Sequence, residues 1–296
     1  MKDNIAAGCV YAGFMAPSLE ACGGSFDKVK GNVAHSSTRY GVYAYINPLA
    51  TKGAECSEWG HYSAYKTQEN CMVSVMLTKK QHAHHLTCID TQWGLSANYG
   101  GAETEAADVE VTDSFFYGES EAEDCPTKDN CWCKKKSSVW NSHCNLDGKD
   151  FHPTSASSLP ISKSKAQGAW GGQIFFKRNT FKNFIGKSKC GQKSVIFESN
   201  KYDSDKIPQH YFSDSTFTDV DDAGWAYLSK PPKGWANVKD CGNFPCTAPN
   251  NLIFTFTNTK FEGDTKPKKT PADFVIVPDD KTVGGTYPGC THFPDQ

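Results

Sequence analysis

The sequence has little that is typical of a helical or membrane-spanning protein. Only 4 methionines occur in 296 residues, and long runs of Ala, Leu, Glu and Lys are absent, which disfavours a helical bundle. No apolar run reaches the roughly 18 residues that a spanning helix needs, so no membrane span is expected. No Asn-x-Ser/Thr acceptor occurs either, so standard N-glycans are not expected.

Neither sign of charge dominates the chain. The formal net charge is −2 and the sequence pI is about 6.5. A protein that binds nucleic acid without a strongly basic face is unusual, so nucleic acid is not an expected partner.

The 13 cysteines are the strongest signal in the composition. The cytosol keeps thiols reduced, so this number predicts an extracellular or cell-surface protein with disulfides. Zinc is the alternative, but Cys131 and Cys133, like Cys241 and Cys246, lack a matching second pair of ligands. Because residues 1–4 do not resemble a signal peptide, we expect the chain to be part of a larger exported protein.

A short pattern recurs four times along the chain. Each copy has an apolar residue, a polar cluster with Asn or Asp and Ser or Thr, and a Phe five positions after the apolar residue. The copies are residues 111–118, 176–183, 212–219 and 256–263, and their aligned phenylalanines are Phe116, Phe181, Phe217 and Phe261. Asn, Asp and Ser favour tight bends, so each copy predicts a strand, a bend and a second inward residue.

This pattern predicts an all-β protein, a right-handed parallel β-helix in which the four phenylalanines stack at one corner. Their separations of 65, 36 and 44 residues fit coils with loops of variable length and are too irregular for a propeller or a leucine-rich array. We expect one β-helix domain over residues 1–263. Residues 264–296 are expected to form an extended tail outside the repeat, serving as a cap, a linker or a strand donated elsewhere.

Few residues indicate chemistry. His82, His84 and His85 cluster, and His82 and His84 would share one face of a strand, as two metal ligands can. No carboxylate is close in sequence to orient them, so an exposed strand or turn is the favoured interpretation. No metal, cofactor or catalytic residue is predicted.

Aromatic residues around two of the expected coils are candidates for a glycan-binding or partner-binding surface, because rings on a β surface stack on sugars. These residues are Trp59, Tyr62, Tyr65, Trp93 and Tyr99. The alternative is that they fill the interior of the stack or cover its end.

Two segments resemble a known family. Residues 31–36 (Gly-Asn-Val-Ala-His-Ser), followed by Tyr40 and Gly41, resemble the G8-domain and parallel β-helix repeat family of fibrocystin, fibrocystin-L and the cell-migration-inducing and transmembrane hyaluronidases. Residues 240–247, followed by 250–252, resemble the Cys-rich turn of its protist and algal relatives. The resemblance implies a large extracellular chain at a cell or ciliary surface.

The loops are expected to carry the disulfides. Cys241 and Cys246 form the best local pair, and the four cysteines of the long loop are expected to pair among themselves: Cys125, Cys131, Cys133 and Cys144.

We therefore expect an extracellular structural or adhesion module, which assembles linearly with copies of itself or binds other surface proteins. The alternatives are a polysaccharide lyase or hydrolase, hyaluronidase-like in type, and a glycan-binding module without catalysis.

Overall fold

The computed structural model of the chain describes the following residues: 2–16, 20–21, 30–37, 39–45, 56–67, 70–76, 80–91, 93–99, 108–118, 120, 154–158, 174–185, 194–199, 210–221, 226–228, 253–265, 273–277 and 291–292. These residues form 24 β-strands and no helix. The described residues therefore contain no helix able to cross a bilayer.

Successive strands enter three sheets in turn, so that up to β22 each sheet receives every third strand. Sheet A contains β1 (Ile5–Ala7), β4 (Asn32–His35), β7 (Tyr62–Tyr65), β10 (Thr87–Ile89), β13 (Phe115–Tyr117), β16 (Thr180–Lys182), β19 (Thr216–Thr218) and β22 (Lys260–Glu262). Sheet B contains β2 (Ala12–Ala16), β5 (Tyr40–Tyr45), β8 (Asn70–Met76), β11 (Trp93–Tyr99), β14 (Thr154–Ser158), β17 (Ser194–Ser199) and β20 (Ala226–Leu228). Sheet C contains β3 (Glu20–Ala21), β6 (Cys56–Gly60), β9 (Lys80–His84), β12 (Asp108–Thr112), β15 (Ile174–Lys177), β18 (His210–Ser213), β21 (Ile253–Thr257), β23 (Asp273–Val277) and β24 (Thr291–His292).

The strands of each sheet are parallel, apart from two antiparallel pairs at the ends of sheet C, β3 with β6 and β23 with β24. Three consecutive strands make one coil, and the next coil lies on it in register. The prediction of an all-β protein with parallel strands in stacked sheets is confirmed, and the arrangement resembles a β-helix solenoid.

One inward column runs through the centre of all eight strands of sheet A. Its members change from small to large along the chain: Ala6, Ala34, Ala64, Cys88, Phe116, Phe181, Phe217 and Phe261. The four rings lie nearly parallel, with centroids 5.3, 4.8 and 5.7 Å apart. Parallel strands in register place equivalent residues about 4.8 Å apart, so the four recurring phenylalanines form one continuous stack.

A second column of rings on sheet C packs against the first. Phe176, Phe212 and Phe256 stack with centroids 5.1 and 5.3 Å apart. They meet the rings of sheet A edge to face, as Phe212 meets Phe217 at 5.2 Å and 75°. Offset and edge-to-face contacts are the favoured arrangements of aromatic pairs, so each coil adds a complete layer to the core.

The corner between sheets C and A repeats a left-handed bend. The bend residues have φ between 45° and 76°: Asp3, Gly31, His61, His85, Asp113, Arg178, Asp214 and Asn258. Asn, Asp and Gly tolerate this conformation better than other residues. Bend amides bond the next coil, as when Asp113 N–H donates to the Lys177 carbonyl at 3.1 Å.

A buried polar ladder lies just inside the same corner. The Asn179 carboxamide accepts a bond from Ser114 N–H at 2.8 Å and donates one to the Val111 carbonyl at 2.8 Å. Asn179 N–H in turn donates to Ser215 Oγ at 3.1 Å. The polar cluster of the sequence pattern thus has two roles, an outward residue that makes the bend and an inward residue that bonds the coils together.

Replacing Asn179 with alanine is expected to lower the free energy of unfolding by about 3 kcal/mol, since it leaves a buried N–H and a buried carbonyl unpaired. Replacing the neighbouring, outward Arg178 with asparagine is the control. It removes an exposed ion pair with Asp113 and should cost less than about 1 kcal/mol. Urea unfolding compares the two, and equal losses would contradict the ladder's role.

One disulfide joins two sheets through the core. Cys71 in β8 and Cys88 in β10 are both buried and their Cα atoms are 5.8 Å apart. Cys56 is also disulfide-bonded, whereas Cys9 is a free thiol.

The apolar run of the tail forms a strand of the same stack. β23 pairs in parallel with β21, with Phe274 opposite Phe254, and β24 covers the other side of β23. The run of residues 274–277 therefore belongs to sheet C, paired with β21.

Candidate functional site

The predicted aromatic surface is corrected at two of its five positions. Trp59 is 2% exposed and Tyr62 is 7% exposed. Trp59 points inward on β6 opposite Ala83, and the Tyr62 ring packs 6.0 Å from that of Phe14. Both rings fill the interior because the small alanines of this half of the stack leave room for them, so neither is available to a glycan.

The other three aromatic positions lie on β7 and β11. Tyr65 is 36% exposed and stacks on His35 at 4.8 Å and 8°. Trp93 and Tyr99 are the first and last residues of β11, and their side chains lie outside the described part of the structure.

The predicted loop cysteines all lie outside the described residues: Cys125, Cys131, Cys133, Cys144, Cys241 and Cys246. The disulfide between Cys71 and Cys88 was not predicted from the sequence. The available signal was the register of the central column, in which Cys88 lies between Ala64 and Phe116.

Within the described part of the chain, a dense group of titratable side chains lies at the corner between sheets C and A. We call His61, His82, His84 and His85 the imidazole cluster. His82 and His84 point outward from β9, and His85 and His61 occupy the left-handed bends of two adjacent coils. The sequence predicted the grouping of His82, His84 and His85. It did not predict that the pairing of adjacent coils brings His61 beside them.

Gly60 makes room for the cluster. It lies directly opposite His84 in the register of β6 and β9. A Cβ atom at this position would lie 2.6 Å from His84 Nδ1 and would also collide with the His84 carbonyl. Only glycine therefore lets the His84 ring lie flat on the neighbouring coil.

Three of the imidazoles converge. One ring nitrogen from each of His61, His84 and His85 lies within 4.8 Å of the other two. The Nδ1 atoms of His84 and His85 are 3.0 Å apart, and the rings of His61 and His85 stack at 4.5 Å and 18°. Two adjacent coils thus bring three nitrogen ligand atoms to one place.

Glu58 orients the other side of the cluster. Its Oε1 lies 3.1 Å from His82 Nδ1 and 3.3 Å from His84 Nε2. His82 Nε2 lies 3.0 Å from Thr112 Oγ1 on the following coil. The expectation that no carboxylate orients these histidines is wrong, because parallel pairing places β6 beside β9 and brings in an acid 24 residues away.

The environment of His84 favours its neutral form. Burial lowers the pKa of His84 to about 4, and the neighbouring imidazole of His82 adds to this effect, while Glu58 opposes it. At pH 7 the ring is therefore neutral and offers a lone pair.

Comparison with family models, with curated proteins and with solved structures found no match to this chain. The site is therefore interpreted from its own geometry.

Lowering the pH from 7 to 5.5 in EDTA is expected to cost about 1 kcal/mol of stability through His84, given its pKa of about 4 in the folded chain and about 6.5 when unfolded. The unfolded chain binds more protons in this window, so stability falls as the pH falls. Urea unfolding at both pH values measures the loss. His84→Gln should remove most of this component, and an unchanged pH dependence in that variant would contradict the assignment.

Proposed function

We propose that the chain is a structural module of an extracellular or cell-surface protein, a right-handed parallel β-helix that acts as a rigid scaffold or adhesion element. The observation that carries this proposal is the unbroken column of eight registered residues along sheet A. At about 4.8 Å per strand, eight strands make a rod about 34 Å long. Right-handed winding is supported by the strong preference of parallel crossovers for that hand.

The location is supported by the disulfide in the core. Cys71 and Cys88 are both buried, and their bond joins sheet A to sheet B. Such bonds persist in oxidising compartments and are rare in the cytosol. The resemblance of residues 31–36 to the G8-domain and β-helix repeat family supports the same location.

The edge formed by β1 and β2, the outer strands among the described residues, supports a role in association. β1 and β2 are the outer strands of their sheets, and Ile5, Val10 and Met15 are exposed there. Unpaired strand edges with exposed apolar residues are templates for pairing with another chain. Linear assembly through this edge is part of the proposal.

The location is tested by blocking free thiols in intact cells before lysis, followed by peptide mapping without reduction. We expect Cys71 and Cys88 to be recovered as one linked pair of peptides. Recovery of both as blocked free thiols would contradict an oxidising compartment.

Incubation with polysaccharides distinguishes the scaffold role from enzymatic activity. We expect hyaluronan and polygalacturonate incubated with the purified chain to keep their length in size-exclusion chromatography. Shortening of either polymer, absent when the chain is heat-inactivated, would favour the lyase or hydrolase alternative. Co-elution without shortening would favour the glycan-binding alternative.

A further inference from the structure

We infer that the imidazole cluster binds one divalent transition-metal ion through His61, His84 and His85. The inference is independent of the scaffold proposal, because it rests on the geometry of one corner. The three rings come from two adjacent coils, with His61 on one coil and His84 and His85 on the next. A bound ion would therefore tie the two coils together outside the core.

The nitrogen positions fit a small ion with few ligands. Zn–N bonds of about 2.0–2.1 Å in a tetrahedron place the ligand nitrogens about 3.3 Å apart. The Nδ1 atoms of His84 and His85 are already 3.0 Å apart, and the whole set spans no more than 4.8 Å. A small rotation of the half-buried His61 ring and the exposed His85 ring closes the site, and three protein ligands leave a position for water.

Glu58 lies beside the second nitrogen of one proposed ligand. Nδ1 of His84 faces the other rings, while its Nε2 lies 3.3 Å from Glu58 Oε1. The second nitrogen of a metal-binding histidine is commonly placed beside a carboxylate, and a small turn of the His84 ring would let Nε2–H donate to Glu58. Glu58 also adds a negative charge beside the ion, and its side chain is only 12% exposed.

The backbone holds the ligands in place. The left-handed bends at His61 and His85 are fixed by N–H bonds to the next coil, to His84 O and Thr112 O, each 3.1 Å long. Non-glycine residues are uncommon in this conformation, although His adopts it more often than most, and His occupies two successive bends.

The ligand set selects the class of ion. Imidazole nitrogen suits Zn²⁺, Cu²⁺ and Ni²⁺, whereas Ca²⁺ and Mg²⁺ require oxygen ligands. The site should therefore take Zn²⁺ and reject Ca²⁺.

Calorimetric titration of the tag-free chain, cleared of metal with EDTA and then dialysed, tests the inference. Zn²⁺ should bind at one ion per chain and raise the melting temperature, and Ca²⁺ should do neither. Co²⁺ in place of Zn²⁺ should give a visible absorption spectrum typical of nitrogen ligands at low coordination number. Absence of Zn²⁺ binding at pH 7.5 would overturn the inference.

Substitutions of the three proposed ligand residues distinguish binding at this site from adventitious binding of the metal. His61→Asn and His85→Asn each remove one imidazole and keep a residue that tolerates the left-handed bend. Each should weaken Zn²⁺ binding by more than about 100-fold, beyond the loss typical of an outer-shell partner. The matched control is His35→Gln, which removes an imidazole from another corner and should leave the affinity unchanged. Equal effects of all three variants, or no effect of the first two, would show surface binding only.

Glu58→Gln tests the orienting contact. It keeps the shape of the side chain but loses the carboxylate, and the affinity for Zn²⁺ should fall by about 10–100-fold. The stoichiometry and the Co²⁺ spectrum should be retained, because no ligand is lost. Unchanged affinity would remove Glu58 from the site.

Discussion

Replacing Phe181 with alanine is expected to lower the free energy of unfolding by about 3–5 kcal/mol, the usual cost of deleting a buried ring. Phe181 has no exposed surface. Its ring stacks between Phe116 and Phe217 and meets Phe176 and Phe212 edge to face. Truncating this side chain opens a cavity between two layers of the core. The cavity cannot collapse unless β16 loses its register with the strands on both sides.

The control for this variant is Phe115→Ala, the same change on the outward face one coil away. Phe115 is only half-buried, so its removal should cost much less. Urea denaturation of both variants gives the comparison. A loss at Phe115 as large as the loss at Phe181 would contradict the assignment of inward and outward faces.

Removing the core disulfide is the second large effect that we expect. The sequence separation of 17 between Cys71 and Cys88 corresponds to about 3 kcal/mol of lost chain entropy in the unfolded state. The double variant Cys71→Ala, Cys88→Ala should therefore lose about that much stability.

The free thiol provides the control for the disulfide. Cys9→Ala removes a sulfur that has no disulfide partner and should change the stability by less than about 0.5 kcal/mol, as surface substitutions usually do. Thermal unfolding of the two variants without reductant measures the difference. A double variant as stable as the unaltered chain would show that the bond does not stabilise the stack.

The C-terminal half of the core could be predicted from the sequence because its layers repeat one large residue type. Phe116, Phe181, Phe217 and Phe261 follow the same polar pattern, and the pattern itself specifies a bend. In the N-terminal half the same column consists of Ala6, Ala34, Ala64 and Cys88. Small residues occur everywhere in a sequence, so this half of the column carries no visible pattern.

The candidate site could be predicted only in part. His82, His84 and His85 are neighbours in sequence, so their grouping was visible. Glu58 and His61 reach them through pairing of β6 with β9, and this register depends on the length of the connection between the strands. For the same reason the sequence left open whether Trp59 and Tyr62 lie on the surface or inside, and the structure places both inside.

The stacking of coils in register is tested most directly by a pair of engineered cysteines. Thr180 and Thr216 are register partners on the outward face of sheet A, about 4.8 Å apart, within the range of about 4.4–6.8 Å that a disulfide bridges. Thr180 and Thr218 face the same way but are two residues out of register, about 8 Å apart. Mild oxidation followed by peptide mapping should cross-link the first pair and leave the second unlinked. Cross-linking of the second pair in preference to the first would contradict the stack.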